Sequence, residues 1–93
     1  MTPVEHHAEA VAVRKRLRWR CRRGTKELDL LLERFLDDQF LHLDAQDQAA
    51  FERLLGLEDH FLQDWLIAGQ SPTDGELHRV VELIRTTEFP PAR

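Results

Sequence analysis

Seven of the ten residues from Arg14 to Arg23 are Lys or Arg, in the run RKRLRWRCRR, and Gly24-Thr25-Lys26-Glu27 follows directly. Guanidinium groups are planar forks that hold carboxylates and phosphates through paired hydrogen bonds, so anion recognition is the first chemistry offered here. Arg22 and Arg23 stand beside a glycine, whose bare backbone lets their forks project and lets another chain approach closely. Glu27 adds the opposite charge three residues on. The corner formed by Arg22, Arg23, Gly24 and Glu27, with Trp19 just before it, is therefore a candidate docking point. A purely structural reading stands beside it: Gly24 as the N-cap of a helix, with Glu27 reaching back from the N3 position.

Other chemistry finds little support. The five histidines, His6, His7, His42, His60 and His78, never pair at i+3 or i+4, and Cys21 is the only thiol. Metal-ligand spacing and an internal disulfide are both excluded on these grounds. The arginines around Cys21 could lower its pKa, yet no histidine is placed near it, and a cysteine filling a helix seam is the simpler reading. Neither a G-x-S-x-G elbow, a P-loop nor a dinucleotide fingerprint occurs. No catalytic residue and no metal ligand is therefore assigned.

The basic run is set in an acidic chain of net charge −4. Residues 1–26 hold eight Lys/Arg against two acids, net +6, and residues 27–93 hold five against fifteen, net −10. A phosphate backbone drawn to the first segment would meet repulsion from the second within a Debye length of ~8 Å at physiological salt. No helix-turn-helix, zinc-finger or RNA-binding signature accompanies the run. Nucleic acid is thus not the expected partner, and a solvated basic face is the plain alternative.

The elements that must hold this corner are helices. Leu28, Leu31, Leu32, Phe35, Leu36 and Phe40 recur at helical period and form one stripe, opposite Asp29, Glu33, Arg34 and Asp37. Asp44 is a good N-cap for a second helix carrying Ala50, Phe51, Leu54 and Leu55, with a stop expected at Gly56. Glu58 and Asp59 open a shorter segment with Phe61, Leu62, Trp65 and Leu66 inward, ended by Gly69 and Pro72. Thr73 and Glu76 have capping-box spacing ahead of Leu77, Val80, Val81 and Ile84. Ala10, Val13, Leu17 and Cys21 line a seam on an N-terminal helix. Leu17, Trp19 and Cys21 also alternate as in a strand, but a lone strand has no pairing partner in a helical chain.

Ninety-three residues with 42% apolar content suit one small domain. The expected fold is all-α, a five-helix bundle over residues 1–93, with 1–14 a variable N-terminal extension and 87–93 a frayed tail. No apolar run reaches the roughly 18 residues of a membrane span. The N-terminus lacks an h-region or transit pattern, so a soluble, unprocessed, cytoplasmic protein is expected.

The stretch WRCRRGTKELDLLLERF resembles the signature of the succinate dehydrogenase assembly factor 2 family, whose RGxxE motif matches Arg23, Gly24 and Glu27. Trp19, Cys21 and Arg22 match its leading flank, and Leu28 and Asp29 its trailing one. DWLIAGQSP, with Trp65, Leu66, Gly69 and Pro72, is similar to the family's WL-x-x-G-x-x-P segment, and ELHRVVELIRT to its last helix. The match runs from about residue 15 to 86; the residues before it lie outside the pattern.

The resemblance implies a five-helix protein, not itself an enzyme, that binds the flavoprotein subunit of succinate dehydrogenase, and in bacteria also that of fumarate reductase. It implies promotion of covalent attachment of FAD to a histidine of that subunit, with no cofactor of the chain's own. Direct FAD binding is left open, as is monomer against weak dimer. The partner-binding residues it implies are Arg23, Gly24, Glu27, Arg22 and Trp19. Two other classes stay open as alternatives: an antitoxin-type protein neutralising a membrane toxin, and a nucleic-acid module using the basic helix.

Overall fold

Leu17, Cys21, Leu28, Leu32, Phe35, Phe51, Leu54, Leu62, Val80 and Ile84 meet in one buried cluster, drawn from every long helix of the chain. In this computed structural model residues 3–86 are described, with side chains from Glu9 onward. Five α-helices account for the fold: α1 Pro3–Arg20, α2 Lys26–Asp38, α3 Ala45–Leu55, α4 Asp59–Leu62 and α5 Gly75–Thr86. A 3₁₀ turn, Phe40–His42, links α2 to α3, and α4 runs on into a π-helical turn at Gln63–Ile67. Among the described residues there is no strand, as the helical periodicity requires.

The apolar stripe of α2 is the centre of the molecule. Leu28, Leu32, Phe35 and Leu36 are buried, and Phe35 and Phe40 both pack on Phe51 of α3, with ring centroids 5.3 and 5.9 Å apart. The alternation at Leu17, Trp19 and Cys21 resolves as helix. Leu17 and Cys21 face the core, while Trp19, lying between them, points out. Ala10 is buried on the same helix, so residues 3–14 continue the element that carries the basic run. The expected fraying of residues 87–93 falls outside the described residues, as do the side chains of His6 and His7.

Caps fall partly where expected. Asp44 accepts from the Asp47 backbone N–H at 2.8 Å and starts α3, and Gly56 follows its last residue. The Thr73 capping box does not form. Asp74 is the residue that starts α5, its Oδ1 accepting from the Leu77 N–H at 2.9 Å, while Glu76 turns sideways to Arg53 and Gln46. A carboxylate one position nearer the helix reaches the same donors, so it displaces the threonine.

Two members of the expected core are corrected. Leu62 and Leu66 take the inward positions of the fourth element, leaving Trp65 half-buried and Phe61 38% exposed, stacked between His60 and Trp65. Four apolar residues at 61, 62, 65 and 66 cover two adjacent stripes of one helix. The π turn, closed by Ala68 N–H donating to the Gln63 carbonyl at 2.9 Å, changes the winding just where one stripe must be chosen. Gly69, with φ +84, then ends the segment in a left-handed conformation that favours glycine.

Candidate functional site

The corner between α1 and α2 is built around Arg23. Its side chain is only 12% exposed, and its fork turns inward. Nε donates to Asp59 Oδ1 at 2.7 Å, one terminal nitrogen to the Leu55 carbonyl at 2.6 Å, and the other to the Leu57 carbonyl. Leu55 closes α3, so Arg23 satisfies carbonyls that the end of a helix leaves without intrahelical partners. It also places a cation at the negative end of the α3 dipole. The expectation that Arg22 and Arg23 both project is therefore met only by Arg22. Arg23 ties the corner to the start of α4.

A second tie comes from Asp29, in the first turn of α2. Its carboxylate accepts from the backbone N–H of Arg23 at 2.7 Å and of Gly24 at 3.3 Å. With the turn pinned this way, Gly24 takes φ +87 and Thr25 becomes the N-cap. Glu27 is then the second residue of α2 and not the third, so the reciprocal cap to Gly24 does not form. Glu27 stays exposed, its carboxylate without a hydrogen bond or ion pair among the described residues. A Cβ built on Gly24 would meet nothing within 4 Å. Gly24 is required by its backbone conformation, and the space above it is open to another chain.

Most of the basic run is paired within the molecule. Arg14 lies 3.6 Å from Asp37, Arg16 3.1 Å from Glu52, and Arg20 3.8 Å from Glu52. Arg18 bridges Asp37 and Glu33. The acidic faces of α2 and α3 thus answer the charge of α1, and each exposed pair adds little stability by itself. Lys15 and Arg22 have no carboxylate partner among the described residues. These two line a cleft of about 210 Å³ together with Arg18 and Trp19. Trp19 is 75% exposed, and the Arg22 guanidinium lies over its ring at 5.3 Å, a cation–π arrangement that holds both side chains in a shared orientation.

Cys21 has no part in this surface. It is fully buried, and burial, reinforced by Glu33, pushes its thiol up to about 12 despite Arg18 nearby. Desolvation outweighs the arginines that the sequence sets around it. Among the described residues no group of three or more His, Cys, Asp or Glu could hold a metal ion, and no helix is long and apolar enough to cross a membrane.

Of the five site residues expected from sequence, Trp19, Arg22, Gly24 and Glu27 lie at the exposed edge of one corner, and Arg23 is folded beneath it. Sequence reasoning placed Asp29 only on the solvent face of α2 and on the flank of the motif, and Lys15 only within the basic run, and gave neither a role at the corner. Asp29 carried one usable signal, a carboxylate in the first turn of a helix that follows a positive-φ glycine. Lys15 carried another, its i, i+4, i+7 spacing with Trp19 and Arg22.

Comparison with known proteins bears on the whole of this surface. Residues 15–88 match the family model described as flavinator of succinate dehydrogenase. The chain is similar to the FAD assembly factor SdhE of Coxiella burnetii, 39% identical over 71 residues, covering 76% of this chain and 87% of that protein. It is 44% identical over 70 residues to the protein of the same name from Pseudomonas aeruginosa, covering 75% and 83%. The corresponding Idiomarina loihiensis protein is 37% identical over 84 residues, covering 90% and 93%.

Proposed function

The chain belongs to the family of succinate dehydrogenase flavinators, and from that premise we propose that it is an FAD assembly factor. It binds the flavoprotein subunit of succinate dehydrogenase and promotes covalent attachment of FAD to a histidine of that subunit. The observation that carries the reading to particular residues is the α1–α2 corner. There Trp19, Arg22, Gly24 and Glu27 are exposed, while Arg23 and Asp29 hold the backbone beneath them.

In this reading the flavin and the nucleophile both belong to the partner, so the chain contributes no catalytic group and no cofactor. It binds one conformation of the flavoprotein better than others, and shifts the population toward the one in which histidine and flavin can react. A pinned turn suits that task, because a preorganised surface loses little conformational entropy on docking. Fumarate reductase, whose flavoprotein performs related chemistry, is a second partner of the same site. The working compartment is the cytoplasm, and the active form a monomer or weak dimer.

The test is co-expression of the succinate dehydrogenase flavoprotein with the chain, with Glu27→Ala, or alone, read by in-gel fluorescence of covalently bound flavin. The reading requires strong fluorescence with the wild-type chain and weak fluorescence with Glu27→Ala at equal protein levels. Equal flavinylation with and without the chain removes it.

A further inference from the structure

The cleft formed by Lys15, Arg18, Trp19 and Arg22 is used by neither the core nor the pinned turn, and two of its cations, Lys15 and Arg22, have no carboxylate partner among the described residues, unlike the arginines of α1. Everywhere else along this helix the arginines hold carboxylates: Asp37 and Glu33 on one side, Glu52 on the other. We propose that the cleft takes a carboxylate-bearing segment of the partner flavoprotein, one Asp or Glu seated between Lys15 and Arg22 against the face of Trp19. This rests on the function proposed above and names the chemistry of the surface that it meets.

Three observations select a peptide carboxylate. The first is size, since about 210 Å³ lies below the range of roughly 300–1,000 Å³ that encloses drug-sized ligands. A side chain fits where a dinucleotide does not. The second is charge. Arg18, which lines the cleft, is already held by Glu33 and Asp37. A polyanion crossing the site would run onto those acids, whereas a single carboxylate meets only Lys15 and Arg22. The third is length. Lys15 stands on α1 and Arg22 two residues beyond its end at Arg20, so the two cations flank Trp19 along the chain and a short stretch of extended partner chain reaches both. Trp19 gives that segment an apolar face on which its stem can lie.

Zero-length carbodiimide cross-linking tests the pairing, because it joins an amine to a carboxylate only where the two touch. The purified chain is mixed with the purified apo-flavoprotein subunit, complex formation is followed by gel filtration, and linked peptides are identified by mass spectrometry. The expected link joins Lys15 to an Asp or Glu of the flavoprotein. Lys15→Arg, which keeps the charge but removes the amine, loses that link and retains the complex. Lys15→Glu combined with Arg22→Glu weakens the complex about tenfold or more at low salt. Neither residue has a carboxylate partner to lose among the described residues, and a thermal melt checks that the double variant stays folded after losing the Arg22–Trp19 contact.

The proposal is overturned alone if the complex forms and supports flavinylation while Lys15 stays unlinked and the double charge reversal leaves Kd within about twofold. A duplex DNA oligonucleotide that binds the chain and is lost in the same double variant assigns the cleft to phosphates and also overturns it. Absence of any complex with the wild-type chain overturns this proposal and the functional reading together.

Discussion

Arg23 Nε donates to Asp59 Oδ1 at 2.7 Å, joining the turn after α1 to the first residue of α4 across 36 positions of chain. With the two carbonyls that the same fork holds, Leu55 and Leu57, Arg23 makes three hydrogen bonds from the turn after α1 to the end of α3 and the start of α4. The motif at the proposed docking corner therefore mixes two tasks in that reading. Arg23 supports the corner, and Gly24 and Glu27 present it.

Arg23→Ala leaves the Leu55 and Leu57 carbonyls and Asp59 without their donor, so it destabilises the protein by about 1–3 kcal/mol, the range for stranded polar groups. Arg23→Lys keeps the charge but loses the fork, and falls between alanine and wild type. Urea denaturation measures both. A loss under about 0.5 kcal/mol for Arg23→Ala, as for an ordinary surface change, returns Arg23 to the partner-facing set.

Glu27→Ala behaves in the opposite way. Its carboxylate makes no hydrogen bond or ion pair among the described residues, so stability stays within about ±0.5 kcal/mol while flavinylation falls. Gly24 divides into two effects that a pair of substitutions can separate. Gly24→Ala carries the left-handed strain of φ +87, about 1–2 kcal/mol, whereas Gly24→Asn tolerates that conformation far better. Both place a side chain in the open space above the turn. A stable Gly24→Asn that still fails to support flavinylation identifies close approach of the partner as the reason for glycine. If its flavinylation is normal, the glycine serves the turn alone.

Leu32 and Phe61 test the packing. Leu32 is fully buried, and Leu32→Ala costs about 2–5 kcal/mol. Phe61→Ala costs less, since its ring is exposed and its neighbours His60 and Trp65 can close over the gap. Thermal melts of the two variants rank them, and a reversal of that order contradicts the inward choice of Leu62 and Leu66.

Cys21 supplies a pH prediction. Its thiol is raised from 9.0 to about 12 in the folded protein, so above pH 9 the unfolded chain has released a proton that the folded chain keeps. Folding stability is unaffected by this group below about pH 9 and declines as pH rises from there toward 12. Thiol titration with an aromatic disulfide at pH 8 should accordingly be slow in native buffer and rapid in urea. Immediate modification of the native protein, with its circular dichroism unchanged, contradicts the buried thiol.

Much of the architecture was legible in the chain itself. Helical periodicity is local, and the stripe from Leu28 to Phe40, the cap at Asp44 and the stop at Gly69 each follow from residues a few positions apart. The corner at Gly24 was legible too, because a glycine between two helical patterns marks a turn whatever surrounds it. The partners of the charges were decided only by tertiary structure. Arg23 reaches Asp59, Arg16 reaches Glu52 and Asp29 turns back on the preceding loop. Nothing in the spacing of such residues says which helix end will lie within reach. Long charged side chains have no periodic signature that separates an arginine solvating a neighbouring helix from one facing water. The same limit placed Phe61 in the core, since two adjacent apolar stripes look alike until packing selects one. Local physics determined that a helical chain would turn at Gly24 with a basic helix behind it, and the assembled bundle determined that Lys15 and Arg22, of the cations around the cleft, would have no carboxylate partner among the described residues.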